Sequence, residues 1–235
     1  MSDDILIKYN DPVMTGISVL EKLPPTIVLP STGASSLIEF ASSNVTSRYV
    51  GQADHTKIVC VTLGWIRSTG ISSIAINGSA MTLVSAPIVT SGTTTIGSAI
   101  AYQAFAGGPT ATIEITMSSP TGVANSQVYI VTCGSSILDT LSTSSSGTAT
   151  ISGSIDVEIQ GGVVAASVTE TSSNSVTWTT LIEQNDRAAA GTLFRYSDAY
   201  LSGSSITAAS TITVSADTGV SDYKSLTSIS FSYTG

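Results

Sequence analysis

Gly161-Gly-Val-Val-Ala-Ala-Ser-Val-Thr-Glu170 is a short apolar, β-branched run with turn residues at its start. About a hundred residues earlier, Lys57-Ile-Val-Cys-Val-Thr-Leu63 is an object of the same kind. Bounded runs of this length and composition read as strands. The segments downstream of the two runs also correspond. After the first come Ile74-Ala-Ile-Asn-Gly78, Gly97-Ser-Ala-Ile-Ala-Tyr-Gln-Ala-Phe105, Ala111-Thr-Ile-Glu-Ile-Thr-Met117 and Gln127-Val-Tyr-Ile-Val-Thr132. After the second come Val176-Thr-Trp-Thr-Thr-Leu181, Gly191-Thr-Leu-Phe-Arg-Tyr-Ser-Asp-Ala-Tyr200, Thr211-Ile-Thr-Val-Ser215 and Leu226-Thr-Ser-Ile-Ser-Phe231. Two copies are too few for a solenoid. The pattern predicts an all-β, antiparallel β-sandwich of two pseudo-repeated halves, about 57–133 and 161–232, whose matched strands form two sheets, or two interleaved hairpin sets, of one sandwich.

Composition agrees with that reading. Only 10% of residues are charged, and Ser and Thr together make up roughly a third of the chain. Threonine suits the outer face of a strand, packing its branched carbon on the pleat while its hydroxyl meets water. At 235 residues the chain is long enough to bury a substantial core. A net charge of −8 with scattered basic residues argues against a nucleic-acid groove, which needs clustered Lys and Arg. No apolar run approaches the ~18 residues of a membrane span, and the acidic start Met1-Ser-Asp-Asp4 is unlike a signal peptide. The expectation is a soluble, rigid β protein made in the cytoplasm.

Residues 1–36 differ from the rest. Ile5, Leu6, Ile7 and Tyr9 lie in a strand-like segment, and 13–23 has the spacing of a short helix or extended arm. Leu23-Pro-Pro-Thr-Ile-Val28-Leu29-Pro30 resists regular structure because proline removes donors and extends its predecessor. The segment reads either as a loosely ordered terminus or as an N-terminal arm that orders on a neighbouring subunit. Residues 37–235 form the sandwich. Ile74-Ala-Ile-Asn-Gly-Ser-Ala80 predicts a hairpin, since Asn-Gly supplies the positive φ angles of a type I′ turn. The serine- and threonine-rich stretch 140–150 keeps an alternating pattern and reads as strand, while 185–191 reads as a loop.

Chemistry-bearing residues are sparse. His55 beside Asp54 has no nucleophile elbow to serve. Three His and Cys residues spread this widely do not make a zinc site. Asp186, Asp198, Asp217 and Asp222 lack the spacing of a calcium loop, and Glu114 and Glu158 read as solvated strand residues rather than a glycosidase pair. Cys60 and Cys133 read as buried thiols, with a disulfide left open. No enzyme activity, cofactor or metal is expected. Trp178 reads as a cap on the core; together with Tyr49, Tyr196, Tyr200 and Tyr223 it is also a candidate for stacking on a glycan or receptor.

Gly162-Val-Val-Ala-Ala-Ser-Val168, Thr177-Trp-Thr-Thr-Leu-Ile-Glu183 and Gly191-Thr-Leu-Phe-Arg-Tyr-Ser197, with Ile74-Ala-Ile-Asn-Gly-Ser-Ala-Met-Thr-Leu83 in the first half, resemble the jelly-roll-like sandwich modules of tailed-bacteriophage virion proteins. The resemblance covers about 37–235. It implies a structural virion protein, a head decoration or other capsid- or tail-attached module, anchored by its terminal arm through Ile5, Leu6, Ile7, Tyr9, Val28 and Leu29. Its implied partners are major capsid or tail subunits and further copies of itself, with neither nucleic acid nor membrane. The alternative it implies is a tail-fibre module binding a receptor or host carbohydrate through Trp178, Tyr196, Tyr200 and Tyr223.

Overall fold

A computed structural model describes residues 27–28, 38–51, 56–131, 135–170, 174–188, 194–201 and 205–233. The described residues are almost entirely strand, and every pairing between strands is antiparallel. The first half of the chain supplies β1 (Ile27–Val28), β2 (Ile38–Ala41), β3 (Ser43–Tyr49), β4 (Lys57–Ile66), β5 (Ile71–Ile76), β6 (Ser79–Ala80), β7 (Thr82–Ser85), β8 (Val89–Ser91), β9 (Thr94–Phe105), β10 (Thr110–Met117) and β11 (Val123–Val131). The second supplies β12 (Ser135–Val157), β13 (Gly162–Thr169), β14 (Thr177–Thr179), β15 (Ile182–Ala188), β16 (Arg195–Leu201) and β17 (Ser210–Tyr233).

Three sheets result. The first has β11-β4-β9 at its centre, with β1 and β2 on the free edge of β11 and β7 and β8 on that of β9. The second runs β3-β10-β5-β6, and the third β12-β17-β13-β16-β15, with β14 also on β17. The neighbours of the two apolar runs correspond: β4 lies between β11 and β9, and β13 between β17 and β16.

Both runs lack the alternation of a half-solvated strand because both of their faces are buried. On β4, Val59, Val61, Leu63 and Trp65 face the second sheet, in a core shared with Ile74, Ile76, Ile113 and Ile115. Its other face carries Ile58, Cys60 and Ile66, which pack against Val164, Ala166 and Val168 of β13 together with Tyr196, Ile229 and Phe231. The opposite face of β13, Val163 and Ala165, joins Ile151, Ile155, Trp178, Val214 and Leu226 in a third core. The sandwich is therefore a stack of four layers around three cores, where the sequence pattern predicts two packed sheets. The difference has a physical origin: a two-sheet sandwich needs only one buried face per strand, whereas β4 and β13 each carry two.

β12 and β17 are long strands that serve two layers. Their pairing shifts register between Ser145 and Thr150, where Gly147 adopts φ 74°, and Gly219 adopts φ 69° on the partner strand. The 140–150 stretch is thus strand, as its alternation predicts. The Asn77-Gly78 turn has φ 49° and 77°, the pair required for a type I′ hairpin between β5 and β6. A further expectation fails. Residues 185–188, read as loop, belong to β15, an edge strand with exposed Ile182, Glu183, Gln184, Arg187 and Ala188. Its outer face is solvated almost throughout, so no apolar rhythm marks it; the edge of β16 fixes it instead.

Candidate functional site: a buried carboxylate between the chain halves

Between the first and third sheets the apolar packing is interrupted by one cluster of polar groups centred on Asp198, which is fully buried. Strand geometry places it. Alternate residues of β16 point the same way, so Tyr196 and Asp198 both face the first sheet, and partly buried Tyr200 packs against the same core. Asp198 Oδ1 accepts from the Tyr129 hydroxyl at 2.7 Å and from Asn185 Nδ2 at 2.9 Å. Oδ2 accepts from the Tyr196 hydroxyl at 2.6 Å and from Asn185 Nδ2 at 3.2 Å. The Tyr196 hydroxyl also lies 2.7 Å from Thr62 Oγ1, which donates to the Gln127 carbonyl at 3.2 Å. Thr62 belongs to β4, and Gln127 and Tyr129 to β11, so the carboxylate gathers donors from both halves of the chain.

Asn185 reaches this cluster because β15 bulges between Glu183 and Asn185, and a bulge re-aims a side chain. Its backbone is held from behind: Trp178 Nε1 donates to Ser197 Oγ at 2.8 Å, and Ser197 Oγ donates to the Asn185 carbonyl at 2.8 Å. Next to it Asp186 pairs with Arg195 through two contacts, Arg195 Nε to Oδ1 and Nη2 to Oδ2, the latter at 2.8 Å. Asp186 Oδ2 also accepts from the Val176 amide at 3.1 Å. A second seam joins the halves where Ser98 of β9 meets Ser225 and Thr227 of β17, each hydroxyl pair 2.9 Å apart.

Burial sets the electrostatics. Removal from water raises the Asp198 carboxyl to about 6, against the opposing pull of the hydrogen bonds from Tyr196, Tyr129 and Asn185. Burial, with the nearby Asp198 charge, also pushes the Tyr129 and Tyr196 hydroxyls well above their usual value, so both are firm donors. Other ionisable groups are buried too. Arg48 extends to Ser126, Lys57 Nζ donates to the carbonyls of Gly51 and Gly107, and Lys224 Nζ donates to those of Thr148 and Val220. Burial lowers Arg48 to about 10 and raises the Cys60 thiol far above its usual value, which leaves that free thiol unreactive.

The structure redistributes the residues singled out in the sequence. Tyr196 is completely buried and Trp178 nearly so, in the role of core cap; neither offers an open ring face, and the idea of them as glycan contacts is corrected accordingly. Tyr200 and Tyr223 are partly buried against the central core, and the rings of Tyr200 and Tyr129 meet at 6.1 Å. Tyr223 lines a groove of about 440 Å³ with Ile88, Thr90 and Ser144–Ser146. Glu114 and Glu158 lie apart, on the second sheet and just after β12. Among the described residues no three His, Cys, Asp or Glu side chains are grouped to hold a metal ion. Val28 lies in β1; Ile5, Leu6, Ile7, Tyr9, Leu29, Asp54, His55, Cys133 and the 13–23 stretch lie outside the described residues.

The Asp198 cluster is not apparent from the sequence, where that residue reads only as a possible calcium ligand. One signal points to it: Tyr196-Ser-Asp198-Ala-Tyr200 puts an acid between two tyrosines at period two, on one face of a strand. No protein-family model matches the chain, and no curated protein or solved structure is detectably similar to it.

Proposed function

We propose that this protein is a structural component of a tailed-bacteriophage virion, a head decoration or other capsid- or tail-attached module docked through residues 1–36. The observation that carries this reading is the stack itself: four layers locked by three cores, with a carboxylate whose hydrogen bonds join the halves rather than facing a cleft. Such a body is suited to bearing load and presenting a surface. Strand order supports it further. Leaving aside β1, β7 and β8, the β2-β11-β4-β9 and β3-β10-β5-β6 orders of the first half support a jelly-roll-like reading, an architecture common in viral shells. The second half repeats the central neighbours, which supports a reading as two jelly-roll-like units. Within the proposed docking segment, β1 pairs with β11 at an edge of the first sheet, Ile27 opposite Val131 and Val28 opposite Ile130. A terminal segment that orders on docking can wrap a neighbouring subunit.

Particles assembled with and without the coding sequence, compared by cryo-microscopy, test the proposal. Density for a four-layered β body should be present in the first and missing from the second; indistinguishable particles would rule the role out. One observation favours a receptor- or carbohydrate-binding module instead, namely the hydroxyl-lined groove beside Tyr223. Glycan binding that is lost on Tyr223→Ala would support that reading.

A further inference from the structure

We propose that Asp198 is a proton-binding clasp between the two halves of the chain, holding the β4–β11 surface to β15–β16 more tightly when it carries a proton than when it is ionised. This holds whether or not the chain docks on a particle.

The geometry accommodates either protonation state. With the carboxylate ionised, the Tyr196 hydroxyl donates to Oδ2, and Oδ1 accepts from Tyr129 and Asn185. With a proton taken from solvent onto Oδ2, the carboxyl donates to the Tyr196 oxygen. The Tyr196 hydrogen then turns to Thr62 Oγ1, already 2.7 Å away, while Thr62 continues to donate to the Gln127 carbonyl. One hydroxyl rotates and no heavy atom moves. No buried donor loses its acceptor in either state, which is the condition that decides whether a buried polar site is tolerable. What changes is the charge. An ionised carboxylate sealed between two sheets bears a desolvation penalty that the neutral acid does not.

Among the described residues no cation closes on Asp198 to offset that penalty. From β16 it is faced by Tyr196, with Tyr200 and Arg195 nearby; from β11 by Tyr129, and from β4 by Thr62 beside the neutral Cys60 thiol. From β15 come Asn185, with Glu183 and Asp186 close by, and Arg195 is engaged by Asp186. Arg48 acts from the far side of the first sheet, on Tyr196. Burial accordingly raises the Asp198 carboxyl from 3.8 to about 6. Because the folded value lies above the unfolded one, the stabilisation is complete below about pH 4 and is lost as pH rises through about 6. Glu183, though exposed at the edge of β15, is raised as well, by partial loss of water around its carboxyl and by the neighbouring Asp186 charge, so its titration has the same sign and must be separated from that of Asp198.

Urea unfolding of the full chain and of Asp198→Asn, at about pH 5 and about pH 7.5, makes that separation. The wild-type unfolding constant should be about tenfold smaller at the lower pH once the change seen in the variant is divided out. Equal pH dependence in the two proteins, within about twofold, would overturn the clasp. Should Asp198→Asn fail to fold, carboxyl carbon NMR of the wild-type chain decides the matter. One aspartate titrating near pH 6 is expected, and every aspartate titrating below about pH 5 would refute the proposal.

Discussion

Gly64→Val is expected to lower the melting temperature by ~10 °C or more, corresponding to a loss of about 3–4 kcal/mol in a chain of this size. Gly64 sits on β4 against Val168 and Tyr196 of the third sheet. A β-carbon there would lie 2.4 Å from Val168 Cγ2 and 2.5 Å from Tyr196 Cδ2, both of which belong to the other half of the chain. Neither neighbour has room to retreat: Val168 and Tyr196 are fully buried in the central core. Overpacking alone costs about 1–3 kcal/mol. Here the displaced ring also carries the hydroxyl bound to Asp198 and Thr62, so the polar cluster is disturbed with it. A thermal melt read by circular dichroism measures the loss. Val45→Thr, at a side chain 70% exposed on β3, is the control and should change stability by no more than about 0.5 kcal/mol.

Asp198→Ala should cost about 2–4 kcal/mol near neutral pH, and Asp198→Asn much less. The alanine leaves the Tyr129 hydroxyl and the Asn185 amide without their acceptor, while the Tyr196 hydroxyl turns to Thr62 Oγ1. Each orphaned buried donor costs about 1–3 kcal/mol. Part of that loss is offset because the variant no longer holds an ionised carboxylate whose value is displaced from 3.8 to about 6, a burden of about 3 kcal/mol. Asparagine sheds the same charge while keeping one carbonyl acceptor. The comparison therefore separates the two roles of Asp198: if both variants are equally destabilised in chemical unfolding, charge rather than acceptance of hydrogen bonds holds the joint.

The difference between these two residues also shows what a sequence reveals. The runs around Cys60 and Ala166 are legible because burial on both faces leaves them mostly apolar with no period-two alternation, and Asn77-Gly78 is legible because its turn demands positive φ. The number of layers is not legible. An apolar run records that both faces are covered, but not what covers them. β15 stayed hidden because an edge strand takes its conformation from its neighbour, and Ile182, Glu183, Gln184, Arg187 and Ala188 are exposed on it without an apolar rhythm. Nothing in the sequence marks Arg48, Lys57 and Lys224 as buried, yet each is; long side chains lie along apolar surfaces and deliver their charge to a distant acceptor. Thr62, Tyr129, Asn185 and Asp198 are scattered over more than half the chain, and only the packing of the first sheet on the third assembles them.

That packing is the central claim, since both the rigid building block and the clasp depend on it. Differential scanning calorimetry of the intact chain tests it most directly. If the halves share one core, they melt in a single transition whose calorimetric and van't Hoff enthalpies agree. Two separate transitions, one of them unmoved by Gly64→Val, would contradict it.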